Sequence, residues 1–227
     1  QPSRSAEGAF AYLAPDEPTG GALALDPRLD QVDALAQALA ARGLRLTHVL
    51  DTHTHADHLS GVRTLARRTG ATVLAHATSK LKGPAQRVAG GARIELGGTT
   101  FRVLDAPGHT PDSLALLAEG HLFTGDALFV GGAGRTDFMG GSASDLYDTL
   151  RAFEALPDET IVHPGHDYIG RPETTIGAEK AENALLREHD RATLVTRLAS
   201  KAAPPANMSA ILRHNLGEAS AATIAPA

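Results

Sequence analysis

Residues 51–61 read DTHTHADHLSG, with three histidines and two aspartates inside eight positions. Upstream, "LTHVLDTH" (46–53) has the apolar, β-branched character of a strand that runs straight into this cluster. Downstream, Leu59, Val62, Leu65 and Ala66 recur at helical spacing, and Gly70 ends the pattern. The polar cluster therefore sits in a loop between strand and helix, where a rigid scaffold displays chemistry. In an extended loop entry, residues i and i+2 point the same way, so His53 and His55 are expected to share one ion. Asp57 and His58, beyond a turn, face a second. The chain has no cysteine. Disulfides, thiolate ligands and a cysteine nucleophile are thereby excluded, and any metal must be held by His, Asp and Glu. Such nitrogen and oxygen donors suit Zn, Fe or Mn.

Three more polar clusters close strand candidates in the same way. They are "DAPGHTPDS" (105–113), "FTGDALF" (123–129) and "VHPGHDY" (162–168). His109, Asp126 and His166 thus join His53, His55, Asp57 and His58 as candidate ligands, each on its own strand-end loop. Gly108 and Gly125 precede His109 and Asp126 and let the backbone turn sharply beside the site. Five other histidines read as surface or hydrogen-bonded residues. His48 and His76 lie in strands without acidic company, and His121, His189 and His214 lie in polar surroundings.

The rest of the chain supplies a frame. "AFAYL" (9–13) and "ALALD" (22–26) read as strands around a turn. Asp26-Pro27 opens a helix to about Ala41, with Val32, Leu35, Ala36 and Leu39 on one face, and Gly43 stops it. "TVLAH", "RIELG", "TTFRVLDA", "SLALLAE" and "HLFTGDALF" are further strands. From Ser144 a helix presents Leu146, Leu150, Phe153 and Leu156. A helical segment over about 173–220 follows the last strand, and "ATIAPA" (222–227) reads as a frayed tail. No repeat or low-complexity linker divides the chain. One α/β domain over 1–227 is the expected organisation. The net charge of −5 argues against nucleic acid or an anionic membrane as partner. No apolar run spans a bilayer and no signal-peptide core opens the chain, so a cytoplasmic protein is expected.

HxHxDH followed by separate GHT, GD and GH motifs resembles the ligand pattern of the metallo-β-lactamase superfamily. Here it falls on His53-x-His55-x-Asp57-His58, then His109, Asp126 and His166. The resemblance implies an αββα sandwich with the metals at one edge between two sheets. One such fold hosts many reactions, so it does not set the activity.

The stretch "GGAGRTDFMGG" (131–141), nine residues beyond Asp126 at Arg135, is more specific. "GDALF…GRTDF" followed by "HDY" is similar to the persulfide dioxygenases. "AFAYLAPDEPTGGALALDP", "THTHADHLSG", "APGHTPDS", "TTIGAEK" and "PPAN" resemble that family in order and spacing. The resemblance implies one Fe(II) per chain on His53, His109 and Asp126, a face that leaves positions open for substrate and O₂. It implies oxidation of glutathione persulfide by O₂ to sulfite and glutathione. His55, Asp57, His58 and His166 are then outer-shell groups or the ligands of a second metal. Arg135, the one cation in the glycine-rich loop, and Tyr168 are the candidate substrate contacts, and a homodimer is the accompanying expectation. The chain departs from many relatives at Thr54, where some have Cys, at Asp112-Ser113, where many have Gly, and at "ENA" (182–184) in place of "NPR". The alternative is a dinuclear zinc hydrolase of glutathione thioesters, of the glyoxalase II type, which requires the same ligands. A protein with a purely structural metal fits less well, because the candidate ligands lie on open loops and not in a closed four-ligand cage.

Overall fold

A computed structural model describes residues 2–4, 8–137, 139–199 and 203–220. Among them, twelve strands make two six-stranded sheets. The first contains β1 (Pro2–Arg4), β2 (Phe10–Asp16), β3 (Gly21–Leu25), β4 (Arg45–Leu50), β5 (Thr72–His76) and β6 (Gln86–Val88), adjacent in that order. The second contains β7 (Arg93–Glu95), β8 (Thr100–Asp105), β9 (Leu114–Ala118), β10 (His121–Gly125), β11 (Ile161–Pro164) and β12 (Thr174–Thr175), again in sequence order.

Hairpins join most neighbours, but β3, β4, β5 and β6 run parallel, as do β10 and β11. Parallel neighbours need a crossover, and helices supply three of them. α1 (Val32–Ala41) links β3 to β4, α2 (Val62–Thr69) links β4 to β5, and α3 (Ala143–Glu154) links β10 to β11. The C-terminal ends of β3, β4 and β10 consequently open onto one edge of the sandwich. The candidate loops converge there.

Burial explains the layering. Every residue of β3 ("GALAL") is buried, as expected of a strand covered on both faces. Leu23 and Leu25 face Leu114 and Leu116 across the space between the sheets, beside Phe10, Tyr12 and Leu50. Ala22, Ala24 and Val49 point outward against Val32, Leu35 and Leu39 of α1 and Leu65 of α2. On the far side, Leu146, Leu150 and Phe153 of α3 cover Leu122 and Val162. The result is the αββα sandwich.

The C-terminal segment holds α4 (Ile176–Glu182), α5 (Arg191–Leu198) and α6 (Met208–Asn215). Ile176, Leu186 and Leu194 close over the second sheet, whereas α6 lies against the loop before α2. The expected helix from Asp26-Pro27 starts only at Val32. Asp26 adopts φ 49° and a 3₁₀ turn occupies Leu29–Gln31, because the Asp26 carboxylate is engaged elsewhere. Two short edge strands, β1 and β6, lacked an apolar alternation to announce them. The tail "ATIAPA" lies outside the described residues. No helix among those residues is long and apolar enough to cross a membrane.

Candidate metal centre

After Leu50 the chain bends through 51–58 instead of continuing extended. The i, i+2 alternation on which a shared His53–His55 ion was expected therefore does not hold. The rings are neighbours, 4.1 Å apart at their centroids, and fall in different candidate groups. His53 groups with His109 and Asp126, and His55 groups with Asp57 and His58, each trio having its ligand atoms within 4.8 Å of one another. Asp57 and His58 thus share a second group, as expected, and His55 joins them.

Each ring is aimed by its other nitrogen. His109 Nδ1 donates to the carbonyl of Arg135 at 2.7 Å, which turns Nε2 toward Asp126. His53 Nδ1 lies 3.1 Å from Thr52 Oγ1. His55 Nε2 is 3.1 Å from Asp26 Oδ1, leaving Nδ1 buried and without a hydrogen-bond partner. A buried, unpartnered imidazole nitrogen beside a carboxylate and another histidine is the state a metal ion would satisfy. Gly125 (φ 50°) and Gly108 (φ 141°) make the turns expected of them. A Cβ on Gly125 would collide with Thr52, and one on Gly108 with Leu146.

His166 behaves differently. Its Nδ1 lies 2.9 Å from Asp126 Oδ1 and its Nε2 3.1 Å from Asp57 Oδ2, contacts that in the absence of a metal ion favour a charged ring. Burial opposes that charge, but the two carboxylates outweigh it and push the imidazole up to about 10. The Asp57 and Asp126 carboxyls are held well below the usual range despite their burial, chiefly by His166. Burial, reinforced by the His55 charge, pulls His53 down to about 3 and His58 to about 4. The neutral form that a metal ligand needs is thus favoured at these two candidates. At His55, by contrast, Asp26, Asp51 and Asp57 outweigh burial and raise the imidazole to about 10, so a metal there must displace its proton.

An open cavity of about 350 Å³ reaches members of both trios, Asp57 of the second among them. Phe129, Tyr168, Ala133 and Pro205 are among its walls, and His109, Asp126 and His166 border it. Tyr168 stacks on His166 at 5.4 Å and 2°, and meets Phe129 edge-on. Arg135 also lines the cavity, with its nitrogens engaged. Nε and Nη2 each donate to Asp137 at 2.6 Å, and Nη1 donates to the Ala203 carbonyl at 2.8 Å.

Sequence reasoning missed the groups behind the ligands. Asp26 accepts from the Thr52 amide and hydroxyl as well as facing His55. Asp112 accepts from Thr54 and Thr110, joining the loops that carry His53 and His109. The two departures at Thr54 and Asp112 are thus bonded to each other. Asn183, in the "ENA" departure, is buried and donates to the Gly132 carbonyl and to Glu179, holding the glycine-rich loop against α4. Asp26 carried a usable signal: it ends a fully apolar strand, like the polar residues at the other strand ends. His76 was misread. It is buried, and its Nε2 meets Asp105 at 3.0 Å across 29 positions of sequence. His214 is buried too, donating to the Ser60 carbonyl.

The fold and the His/Asp constellation define a metal-dependent enzyme of the αββα class, and comparison with known proteins names it. The metallo-beta-lactamase superfamily model matches residues 17–166, and the chain belongs to that superfamily. It is 35% identical over 207 residues to the hydroxyacylglutathione hydrolase of Halorhodospira halophila, covering 91% of this chain and 80% of that protein. It is 34% identical over 185 residues to the mitochondrial persulfide dioxygenase ETHE1 of Homo sapiens, covering 78% and 71%. The crystal structure of ETHE1 from Myxococcus xanthus superposes with a TM-score of 0.92 at 39% identity, covering 96% of this chain and 99% of that one.

Proposed function

We propose that the protein is an iron-dependent persulfide dioxygenase acting on glutathione persulfide. In the balanced reaction a persulfide anion, O₂ and water give the thiol, sulfite and a proton, and the terminal sulfur leaves its carrier with three oxygens. The observation that carries this reading is the trio His53, His109 and Asp126, two imidazoles and one carboxylate whose ligand atoms converge, with His109 and Asp126 bordering an open cavity. His166, doubly hydrogen-bonded, stands outside it. The near-complete overlay on the Myxococcus ETHE1 structure supports the same choice.

An Fe(II) held by this trio supplies open coordination positions and a path for electrons from sulfur to O₂. The chain's own residues prepare the ground. The Arg135 carbonyl fixes the His109 ring, and Thr52, itself held by Asp26, lies beside the His53 ring. His166 holds a proton at Nδ1 against Asp126 and so fixes that carboxylate's direction. Phe129, Ala133 and the Tyr168 ring give the open cavity apolar walls beside which the persulfide sulfur would lie. Arg135 and Tyr168 border the space where the glutathione carrier would lie, with Arg135 steadied by Asp137.

The second trio, His55, Asp57 and His58, favours one further reading, a two-metal hydrolase of glutathione thioesters. The hydrolase relatives carry that activity in their name. Metal analysis of protein purified without added metal, paired with O₂ uptake, separates the two. The dioxygenase contains about one iron per chain and consumes O₂ to form sulfite only when glutathione persulfide is present. Two zinc ions per chain and rapid hydrolysis of S-lactoylglutathione without O₂ uptake would establish the hydrolase instead.

A further inference from the structure

The C-terminal helix α6 reaches the metal-binding turn through one side chain. Asn215, its last residue, is 7% exposed. Its Nδ2 donates to the carbonyls of His55 and His58, both at 2.9 Å, and its Oδ1 accepts from the Ser60 amide at 2.8 Å. Two carbonyls and one N–H allow the amide only this orientation, and all three bonds are buried. The adjacent His214 adds a fourth bond, Nε2 to the Ser60 carbonyl at 3.1 Å. Helix α6 is itself anchored, since Arg63 donates to the His214 carbonyl and the Lys82 amide to the Leu216 carbonyl.

The partners are specific. His55 and His58 are two of the three members of the second ligand trio, and the turn between them carries Asp57. Segment 51–59 forms no regular element, so its backbone groups must find partners outside it. Without the Asn215 amide, the His55 and His58 carbonyls would lose these buried donors and the turn would be free to re-aim its rings. Position 215 also lies 49 residues beyond the span matched by the superfamily model, which ends at residue 166.

We propose that Asn215 is a positioning residue for the metal centre, holding the His55–His58 turn in its ligand-presenting conformation from outside the matched domain core. The proposal rests on the His55, Asp57 and His58 trio taking up a metal ion, the feature that the two-metal reading requires and the one-iron reading does not. Substitutions at such outer-shell positions typically weaken metal binding by about 10- to 100-fold, and that loss is expected for Asn215→Ala. Asn215→Asp should be at least as damaging, because a carboxylate opposes two carbonyls.

The test titrates metal-free protein with Co(II), whose visible spectrum reports ligand geometry, and follows exchange of the Ser60 amide proton. Ile211→Ala, which trims a buried side chain of the same helix, serves as a stability control. Asn215→Ala should weaken Co(II) binding, alter the spectrum and speed Ser60 exchange, whereas Ile211→Ala lowers the melting temperature and leaves the spectrum and affinity unchanged. Wild-type affinity and spectrum in Asn215→Ala would overturn the proposal, as would an equal loss in Ile211→Ala. If Asn215→Ala fails to fold, Asn215→Ser, which keeps one donor, decides by the same two outcomes.

Discussion

Arg135→Ala weighs two uses of one guanidinium. In the structure the bidentate pair with Asp137 has both bonds at 2.6 Å, and the side chains are 27% and 8% exposed. Such a pair lies between an exposed ion pair, worth about 0–1 kcal/mol, and a buried one, where removing a partner costs about 3–5 kcal/mol. Losing Arg135 leaves a nearly buried carboxylate without its pair and should cost about 1–3 kcal/mol of folding stability. At about 2–4 °C per kcal/mol for a domain of this size, the melting temperature falls by roughly 2–12 °C. The effect on substrate is smaller, because Asp137 already offsets the charge that would attract a glutathione carboxylate. A rise in KM of no more than about five-fold, under about 1 kcal/mol, is expected. Metal content should hold, since His109 is aimed by the Arg135 backbone carbonyl, which alanine retains. Differential scanning calorimetry and steady-state kinetics on glutathione persulfide measure both quantities. An unchanged melting temperature together with a KM raised ten-fold or more would refute this reasoning and make Arg135 a substrate clamp.

Asp126→Ala removes the anionic member of the first trio and should abolish stoichiometric metal binding while the far-ultraviolet circular dichroism stays that of the wild type; elemental analysis checks it. His163 titrates in a folding-linked way. Burial, with His121 beside it, pulls it down to about 4 from an ordinary value near 6.5, so its neutral form is favoured in the fold. A depressed base contributes stability that is complete above pH 6.5 and lost as pH falls toward 4, an effect of about 1–2 kcal/mol after discounting for partial exposure. His163→Phe, which preserves the stacking on Phe123, should flatten the pH 6.5-to-4 slope in urea unfolding; an unchanged slope counts against it.

Much of the candidate metal centre was legible because such chemistry needs particular residue types at strand ends. His53, His55, Asp57, His58, His109, Asp126 and His166 all announced themselves as imidazole or carboxylate just beyond an apolar run, and the structure brings them to one edge. What escaped were partners defined by distance in space. Asp105 meets His76 across 29 positions, and Asn215 meets His55 across 160. A sequence window cannot see such pairs, since an asparagine near the chain end has no local feature to separate it from a helix C-terminus. The rule used to pair His53 with His55 does not apply, for a related reason. Alternation governs side-chain direction only while the chain stays extended, and the bends after Leu50 cancel it.

The two readings of the activity part physically at His166. With both nitrogens protonated, that ring has no lone pair for a metal, and its positive charge would sit between Asp57 and Asp126. That charge does for Asp57 what a second ion would do: it offsets a carboxylate that is otherwise costly to desolvate. A second metal must therefore displace a proton from His166 and break its bond to Asp57 or to Asp126. One ion with an imidazolium beside it, and two ions with a neutral imidazole, are alternative ways of balancing the same carboxylates. The retention of every dinuclear ligand in this chain is thus compatible with a mononuclear enzyme. In such an enzyme Asp57 would be kept to hold His166, and His166 to hold Asp126 at the angle from which it completes the first trio.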